Sequence, residues 1–325
     1  MSVLLEARGL VQQYTTGKSL FGRPGAVRAV DGIDLSVAEG EILGVVGESG
    51  SGKSTLGRML LGLETPFAGK VLYHGQPMPA PRTEHWRRLR AQMQLIFQDP
   101  LAALDRRMTV AAQIAEPLEI HGLARGAELA ERVEGLMGRV GLRRDQADRY
   151  PHELSGGQRQ RVVIARALAT SPRFLVCDEP VSALDVSIQA QVVNLLRDLQ
   201  EQDGLTMVFI SHDLKVVRNI CDRVAVMYLG RVVEDAPSDR IFADPRHPYT
   251  QALVSSIPRP GQGLGGRIIL HGEPPNPAAR PQGCAFHPRC RFADAGCAAQ
   301  VPALENHGGR LAACLKLPRA QRQAA

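Results

Sequence analysis

The stretch that decides the fold is Glu41–Val46 (EILGVV) followed by residues 47–55 (GESGSGKST). An apolar strand that runs into G-x-x-x-x-G-K-[ST] and then into a helix is the phosphate-binding loop pattern. Glycine lets successive backbone N–H groups point at phosphate oxygens, and the helix N-terminus adds partial positive charge. We expect Lys53 to reach the β- and γ-phosphates and Ser54 to hold Mg²⁺. The candidate nucleotide-binding residues of this loop are Gly47, Glu48, Ser49, Gly50, Ser51, Gly52, Lys53, Ser54 and Thr55.

Further apolar runs alternate with helical periods, as in a doubly wound sheet. We expect strands at Phe174–Cys177, Thr206–Ile210 and Val224–Met227, with a long helix over Val186–Gln200. Between Thr109 and Arg149 the strand signals stop and helical periods take over, which predicts an inserted helical subdomain. Active sites of such sheets lie at the carboxyl ends of the strands.

Two carboxylates, Asp178 and Glu179, follow the strand FLVC directly. Acids at the tip of a buried strand favour a nearby cation, and a nucleotide-bound Mg²⁺ is the expected one. We expect Asp178 to accept from the magnesium shell and Glu179 to polarise an attacking water. The structural alternative is a helix cap at the start of a loop.

Residues 154–158 (LSGGQ) open a second helix that begins with glycine. Ser155 can cap this helix, while Gly156 and Gly157 leave backbone N–H groups exposed ahead of Gln158, so the turn can bind an anion. One nucleotide occupies the first loop, which suggests that the turn closes over the γ-phosphate held by a second copy. An ordinary capped helix is the alternative reading.

Charge and hydropathy narrow the class of protein. The chain has 325 residues, of which 44% are hydrophobic, and this composition excludes wholesale disorder. The net charge of +6 equals the excess of nine basic over three acidic residues in 259–325, which leaves the main domain neutral and argues against nucleic acid as a partner. No apolar run is long enough to cross a bilayer and the N-terminus has no secretory signal, so we expect a soluble cytosolic protein.

Four of the six cysteines, Cys284, Cys290, Cys297 and Cys314, lie near the C-terminus. In a reducing compartment, such a cluster of cysteines indicates a metal site more strongly than it indicates disulfide bonds. The spacing fits none of the common paired zinc patterns, yet zinc and unmetallated thiols both remain open. Cys177 and Cys221 lie in apolar runs, where we expect core packing.

Taken together, these motifs resemble the ATP-binding subunit of an ABC transporter. Residue by residue, Gln98 resembles the Q-loop glutamine that touches magnesium or water, and Asp185 ends the D-loop-like residues 182–185. His212 resembles the switch histidine at the γ-phosphate. Tyr14 is placed as the aromatic that stacks on adenine, with core packing as its alternative. The resemblance assigns catalytic roles to Lys53, Gln98, Glu179 and His212.

The C-terminal part is similar to peptide importers of this family, and most similar to the second ATPase subunit of dipeptide permeases. The segments Arg246–Leu253, GEPPNP (272–277) and GCAFHPRC (283–290) carry this likeness. It implies an α/β fold of the P-loop NTPase type with a mostly parallel sheet, an N-terminal antiparallel β part, the helical subdomain at about 100–160, and a cysteine-rich extension. We therefore expect an ATP-binding domain over residues 1–258 and an extension over 259–325. Relatives with this tail also imply a [4Fe-4S] cluster on the four cysteines.

The implied function is ATP hydrolysis that drives import of di- and oligopeptides. The implied partners are a second homologous ATPase subunit, two transmembrane permease subunits and an extracytoplasmic substrate-binding protein, with the chain at the cytoplasmic face of the inner membrane. Nickel or another small solute is the alternative cargo. The alternative from another class is a soluble ABC ATPase that acts on nucleic acid or ribosomes, and the single set of motifs argues against it.

Overall fold

A computed structural model of the chain describes residues 2–16, 25–258 and 267–317. They divide into two compact units. The first consists mainly of Tyr73–Ile210, together with Val37–Glu41 and a few residues at the start of the chain. The second consists of Leu5–Ser36, Ile42–Leu72 and the chain from Ser211 onward.

Strands and helices alternate along the described residues. The strands are β1 (Val3–Thr16), β2 (Gly25–Ala38), β3 (Ile42–Val46), β4 (Ala68–Tyr73), β5 (Gln76–Pro77), β6 (Met93–Ile96), β7 (Phe174–Asp178), β8 (Thr206–Ser211), β9 (Arg223–Tyr228), β10 (Arg231–Pro237), β11 (Glu305–Asn306) and β12 (Leu311–Ala312). The helices are α1 (Lys53–Leu60), α2 (Glu84–Gln92), α3 (Pro100–Ala103), α4 (Val110–Ile120), α5 (Gly126–Arg139), α6 (Gly156–Leu168), α7 (Val186–Asp203), α8 (Leu214–Ile220), α9 (Ser238–Ala243), α10 (Pro248–Ser255) and α11 (Ala295–Ala299).

In the first unit, β7 pairs in parallel with β6 on one side and with β8 on the other. The residues of β7 and β8 are almost continuously buried, as in a sheet covered on both faces. The stretch between Ile96 and Phe174, all of it described, holds helices and no strand, and α4 packs on α5 and α6. The predicted helical insertion is therefore confirmed.

In the second unit, β3 pairs in parallel with β9, and β10 continues the sheet antiparallel to β9. The C-terminal extension contributes β12, which pairs antiparallel with β10. Strands β2, β1 and β4 are neighbours in a separate sheet, which is the predicted N-terminal antiparallel part. The α/β fold class is confirmed.

Element boundaries differ slightly from expectation. Helix α1 stops at Leu60 because Gly62 takes a left-handed backbone, φ 64°. Strand β6 and helix α2 ahead of it carry no strong sequence signal and were not predicted. Cys177 and Cys221 are buried, as expected for core residues, and burial raises the pKa of Cys177 to about 12.

Residues 259–266 and 318–325 of the predicted extension, 259–325, lie outside the described residues. Among the residues described, none of the helices combines the length and hydropathy that a membrane crossing requires.

Candidate nucleotide-binding site

The glycine loop lies between β3 and α1, and its tight path depends on missing side chains. Gly52 caps α1 in a left-handed conformation, φ 98°, and a Cβ there would lie 2.0 Å from the Ala29 carbonyl oxygen. A Cβ at Gly47 would lie 2.2 Å from the Met227 carbonyl oxygen. The neighbouring backbone therefore admits only glycine at these two positions.

Lys53 opens α1 with its side chain turned back into the loop. Lys53 is 5% exposed, and its Nζ donates to the Gly47 carbonyl at 2.8 Å and to the Glu48 carbonyl at 3.0 Å. Ser51 Oγ is buried and has no hydrogen-bond partner among the described residues. A buried cation, an orphaned hydroxyl and the N-terminal turn of α1 fit the phosphates of a nucleotide. Ser54, on the same turn, is the candidate magnesium ligand.

Tyr14 is 39% exposed, which does not fit its alternative as a core residue. Its hydroxyl donates to Glu64 and also interacts with Thr55, the last residue of the loop motif. Burial, followed by the hydrogen bond to Glu64, raises the pKa of Tyr14. The second unit thus places this aromatic side chain beside the glycine loop.

In the first unit, Asp178 ends β7 and Glu179 follows it with a left-handed backbone, φ 48°. The Glu179 N–H donates to the Ile210 carbonyl at 2.9 Å, which holds this unusual conformation at the end of the strands. The Gln98 amide donates to Glu179 Oε2 at 3.0 Å. Two predicted catalytic side chains, 81 residues apart, are therefore in direct contact.

Ser155 caps α6, as its sequence position predicts. Its Oγ accepts from the Gln158 N–H at 3.3 Å, and Gln158 Oε1 accepts from the Ser155 N–H at 2.9 Å. Gly157 packs against the start of α7, where a Cβ would lie 2.6 Å from the Ile188 Cγ2. Asp185 is exposed at the N-terminus of α7.

His212 is exposed immediately after β8 and belongs to the second unit, as does the glycine loop. The turn that carries it is built by Ser211, whose Oγ accepts from the Asp213 N–H at 2.9 Å. Asp213 in turn caps α8.

Three of the four C-terminal cysteines, Cys284, Cys290 and Cys314, have a raised pKa. Burial is the largest cause that raises the pKa of Cys284, Cys290 and Cys314, and nearby cysteines contribute to each increase. The Cys284 N–H donates to the Cys297 carbonyl at 2.9 Å. However, within the described ranges no three or more His, Cys, Asp or Glu side chains form a group that could hold a metal ion. The iron–sulfur cluster therefore stays a prediction.

Sequence reasoning missed two contacts to the loop from distant parts of the chain. Arg289 forms an ion pair with Glu48, and the Tyr249 hydroxyl accepts from the Glu48 N–H. The only available signal was an acidic residue inside a phosphate loop and arginine between two cysteines. Other basic residues of the extension are also paired with carboxylates: Arg280 with Asp31, Arg310 with Asp244, and Lys316 with Asp294.

Two family models match the chain. Residues 30–182 match the model described as ABC transporter. Residues 233–297 match the model described as the C-terminal region of oligopeptide/dipeptide transporters. The first match contains the glycine loop and the segment 154–158, and the second contains Arg289 and three of the four clustered cysteines.

Similar proteins cover nearly the whole chain. A Brucella ovis protein named for peptide import and ATP binding is 50% identical over 315 residues, covering 96% of this chain and 98% of its own. The oligopeptide transport ATP-binding protein AppF of Bacillus subtilis is 49% identical over 304 residues, covering 92% of each chain. Among solved structures, the dimeric post-hydrolysis state of the ATP-binding cassette MJ0796 with ADP and Pi has a TM-score of 0.65 at 28% identity. That match covers 72% of this chain and 99% of the other.

Proposed function

Because the chain belongs to the ATP-binding proteins of ABC transporters, in the branch with the oligopeptide/dipeptide C-terminal region, we propose that it hydrolyses ATP to power import of di- and oligopeptides. The observation that carries the proposal is the presence of both parts in one chain. The lysine-bearing glycine loop and the peptide-transporter region occur together in this chain, which is about half identical to proteins named for peptide import or oligopeptide transport over almost its full length.

Each residue of the nucleotide site has a proposed role in ATP binding or hydrolysis. The loop backbone and Lys53 bind the phosphates, and Tyr14 stacks on adenine. Ser54, Gln98 and Asp178 would hold Mg²⁺, which offsets phosphate charge when bound. Glu179, oriented by its hydrogen bond from Gln98, polarises the attacking water, and His212 contacts the γ-phosphate.

We further propose that two ATPase subunits pair head to tail. Each copy then presents residues 154–158 and Asp185 to the nucleotide held by the other copy. The capped N-terminus of α6 supports this assignment, because its backbone N–H groups and helix dipole favour an anion.

The proposed assembly adds a homologous second ATPase subunit, two transmembrane permeases and an extracytoplasmic binding protein. The chain would then lie at the cytoplasmic face of the inner membrane. Within the chain, we propose residues 1–258 as the ATP-binding domain, with the helical subdomain at about 100–160, and 259–325 as the extension.

Peptide uptake by a strain that lacks the gene for this chain tests the cargo. Complementation with the wild-type gene should restore uptake of radiolabelled di- and oligopeptides, whereas Glu179→Gln should not. Purified Glu179→Gln should bind ATP but hydrolyse it about a hundredfold or more slowly. Glu201→Gln, at an exposed glutamate on α7 that pairs with Arg197, is the matched control and should behave as wild type. Restored nickel uptake without peptide uptake would contradict the proposed cargo.

We also propose that the four cysteines hold a [4Fe-4S] cluster. The chemistry of the donor set supports it, because four cysteine thiolates are the usual ligands of such a cluster. Anaerobically purified protein should be brown and contain about four irons per chain. Cys290→Ser should lose them, while Cys221→Ser, in the core, should not. Colourless protein with one zinc per chain would overturn the cluster.

A further inference from the structure

Glu48 is the one acidic residue in the glycine loop, residues 47–55. Its carboxylate faces the guanidinium of Arg289, with Nη1 to Oε2 at 2.8 Å and Nη2 to Oε1 at 3.2 Å. This two-pronged geometry is the strongest form of an arginine–carboxylate pair. The two residues are 241 positions apart, so the contact exists only in the folded second unit.

Arg289 is enclosed by the protein. Its side chain is 8% exposed, and Nη1 also lies 3.5 Å from the Tyr228 hydroxyl. Burial alone would lower the pKa of Arg289, but the hydrogen bonds to Glu48 and Tyr228 raise it above its ordinary value. Arg289 ends the short 3-10 turn His287–Arg289, directly before Cys290. The cysteine-bearing segment therefore delivers a fixed positive charge to the loop.

The backbone of Glu48 is anchored as well. Its N–H donates to the hydroxyl of Tyr249 at 2.9 Å, and Tyr249 is fully buried. The Tyr249 ring packs 4.7 Å from the ring of Tyr228 and 5.4 Å from that of Phe286, in the extension. Both the side chain and the main chain of Glu48 are thus held by residues more than 200 positions later.

A carboxylate within a phosphate-binding loop opposes the binding of a polyanion. Like charges at short range repel, and the repulsion is larger where water is excluded. A partner that neutralises the carboxylate removes this penalty and also fixes the second residue of the loop.

We propose that Arg289 is a positioning residue for nucleotide binding, which neutralises Glu48 and holds it so that the glycine loop can receive the triphosphate. This inference rests on the proposed ATP site. It gives the C-terminal extension a direct part in the nucleotide site of the same unit.

Affinity for a non-hydrolysable ATP analogue, measured by calorimetry on the full chain with Mg²⁺, tests the proposal. Arg289→Gln should weaken binding about tenfold, equivalent to about 1.4 kcal/mol. The loss should grow at low ionic strength, because the Glu48 carboxylate that has lost its partner is then less screened. Arg289→Lys keeps the charge and should bind within about threefold of wild type. Arg291→Gln removes an exposed arginine that lies over Phe292 and is the matched control for charge loss beside Cys290.

The double variant Glu48→Gln/Arg289→Gln distinguishes a loss of binding caused by the unneutralised Glu48 carboxylate from a loss caused by poorer folding. With both charges removed, binding should return to within about threefold of wild type, even if the melting temperature stays low. Equal weakness of the double and single variants, or unchanged binding in Arg289→Gln, would overturn the inference. A wild-type chain that binds no nucleotide would instead overturn the proposed ATP site itself.

Discussion

The glycine loop 47–55 and the turn 154–158 both place glycine at the N-terminus of a helix, but they need glycine for different reasons. In the loop, the obstacle to a side chain is fixed backbone: a Cβ at Gly52 would lie 2.0 Å from the Ala29 carbonyl oxygen. In the turn, the obstacle is the movable Ile188 side chain, 2.6 Å from a Cβ at Gly157.

The polar groups differ in the same way. In the loop, the buried Ser51 hydroxyl has no hydrogen-bond partner in the described part of the chain. The buried Lys53 ammonium donates to the backbone carbonyls of Gly47 and Glu48, which belong to the same loop. The turn satisfies itself through the reciprocal bonds of Ser155 and Gln158. The loop thus leaves a polar group available for a ligand, whereas the turn satisfies its own hydrogen bonds and forms a stable helix N-terminus that can also contact a ligand. At the two crowded glycines, a side chain should accordingly cost more stability in the loop than in the turn.

The largest effect is expected for Gly52→Ala. A methyl group there meets backbone that cannot move aside, and the residue must also keep φ near 98°. We expect the free energy of unfolding in urea to fall by about 3 kcal/mol or more and ATP binding to be lost. Gly50→Ala is the matched control: its φ is 76°, but a Cβ there has no atom within 4 Å. It should lose only about 1 kcal/mol. Equal losses for both variants would show that conformation, not the Ala29 contact, makes glycine necessary.

A smaller effect is expected for Gly157→Ala. Crowding against Ile188 should cost about 1–3 kcal/mol, and the better helix preference of alanine should offset about 1 kcal/mol. The net loss of unfolding free energy should be about 1 kcal/mol. In an Ile188→Ala background the crowding is gone, so the same change should stabilise the chain. Urea unfolding of the four proteins in this cycle measures the sign directly. A loss of equal size in both backgrounds would place the obstacle elsewhere than Ile188.

Local patterns were enough to predict the regular elements that carry the candidate site. The apolar run FLVC predicts the strand that became β7, and the glycine-lysine motif predicts the helix that became α1. Ser155 was predicted as a cap because its geometry depends on residues only three positions away. In each case the determining interactions are short in sequence, where periodicity and capping preferences apply.

Contacts that join distant segments could not be predicted in this way. The pairs Arg289–Glu48 and Gln98–Glu179 span 241 and 81 residues, and no local pattern specifies such partners. The two-residue strand β12 joins the sheet through β10, although its own sequence is too short to show alternation. The charges around a residue depend on this long-range packing. The carboxylate partners of the basic residues in the C-terminal extension are therefore visible only in the folded chain.

The smallest change in stability is expected for Ser155→Ala, and Thr109→Ala is its matched control. Each side chain caps a helix of the first unit by accepting a backbone N–H at 3.3 Å, Ser155 from Gln158 and Thr109 from Ala112. Loss of such a long cap should lower the free energy of unfolding by about 0.5–1 kcal/mol in both variants. If the turn also meets nucleotide in a partner copy, only Ser155→Ala should reduce ATP hydrolysis, by about tenfold or more, because an oriented donor group near the phosphates is disturbed. Steady-state ATPase assays beside urea unfolding separate the two effects. Equal ATPase rates in both variants would contradict a role of residues 154–158 at the nucleotide and leave them only as the capped start of α6.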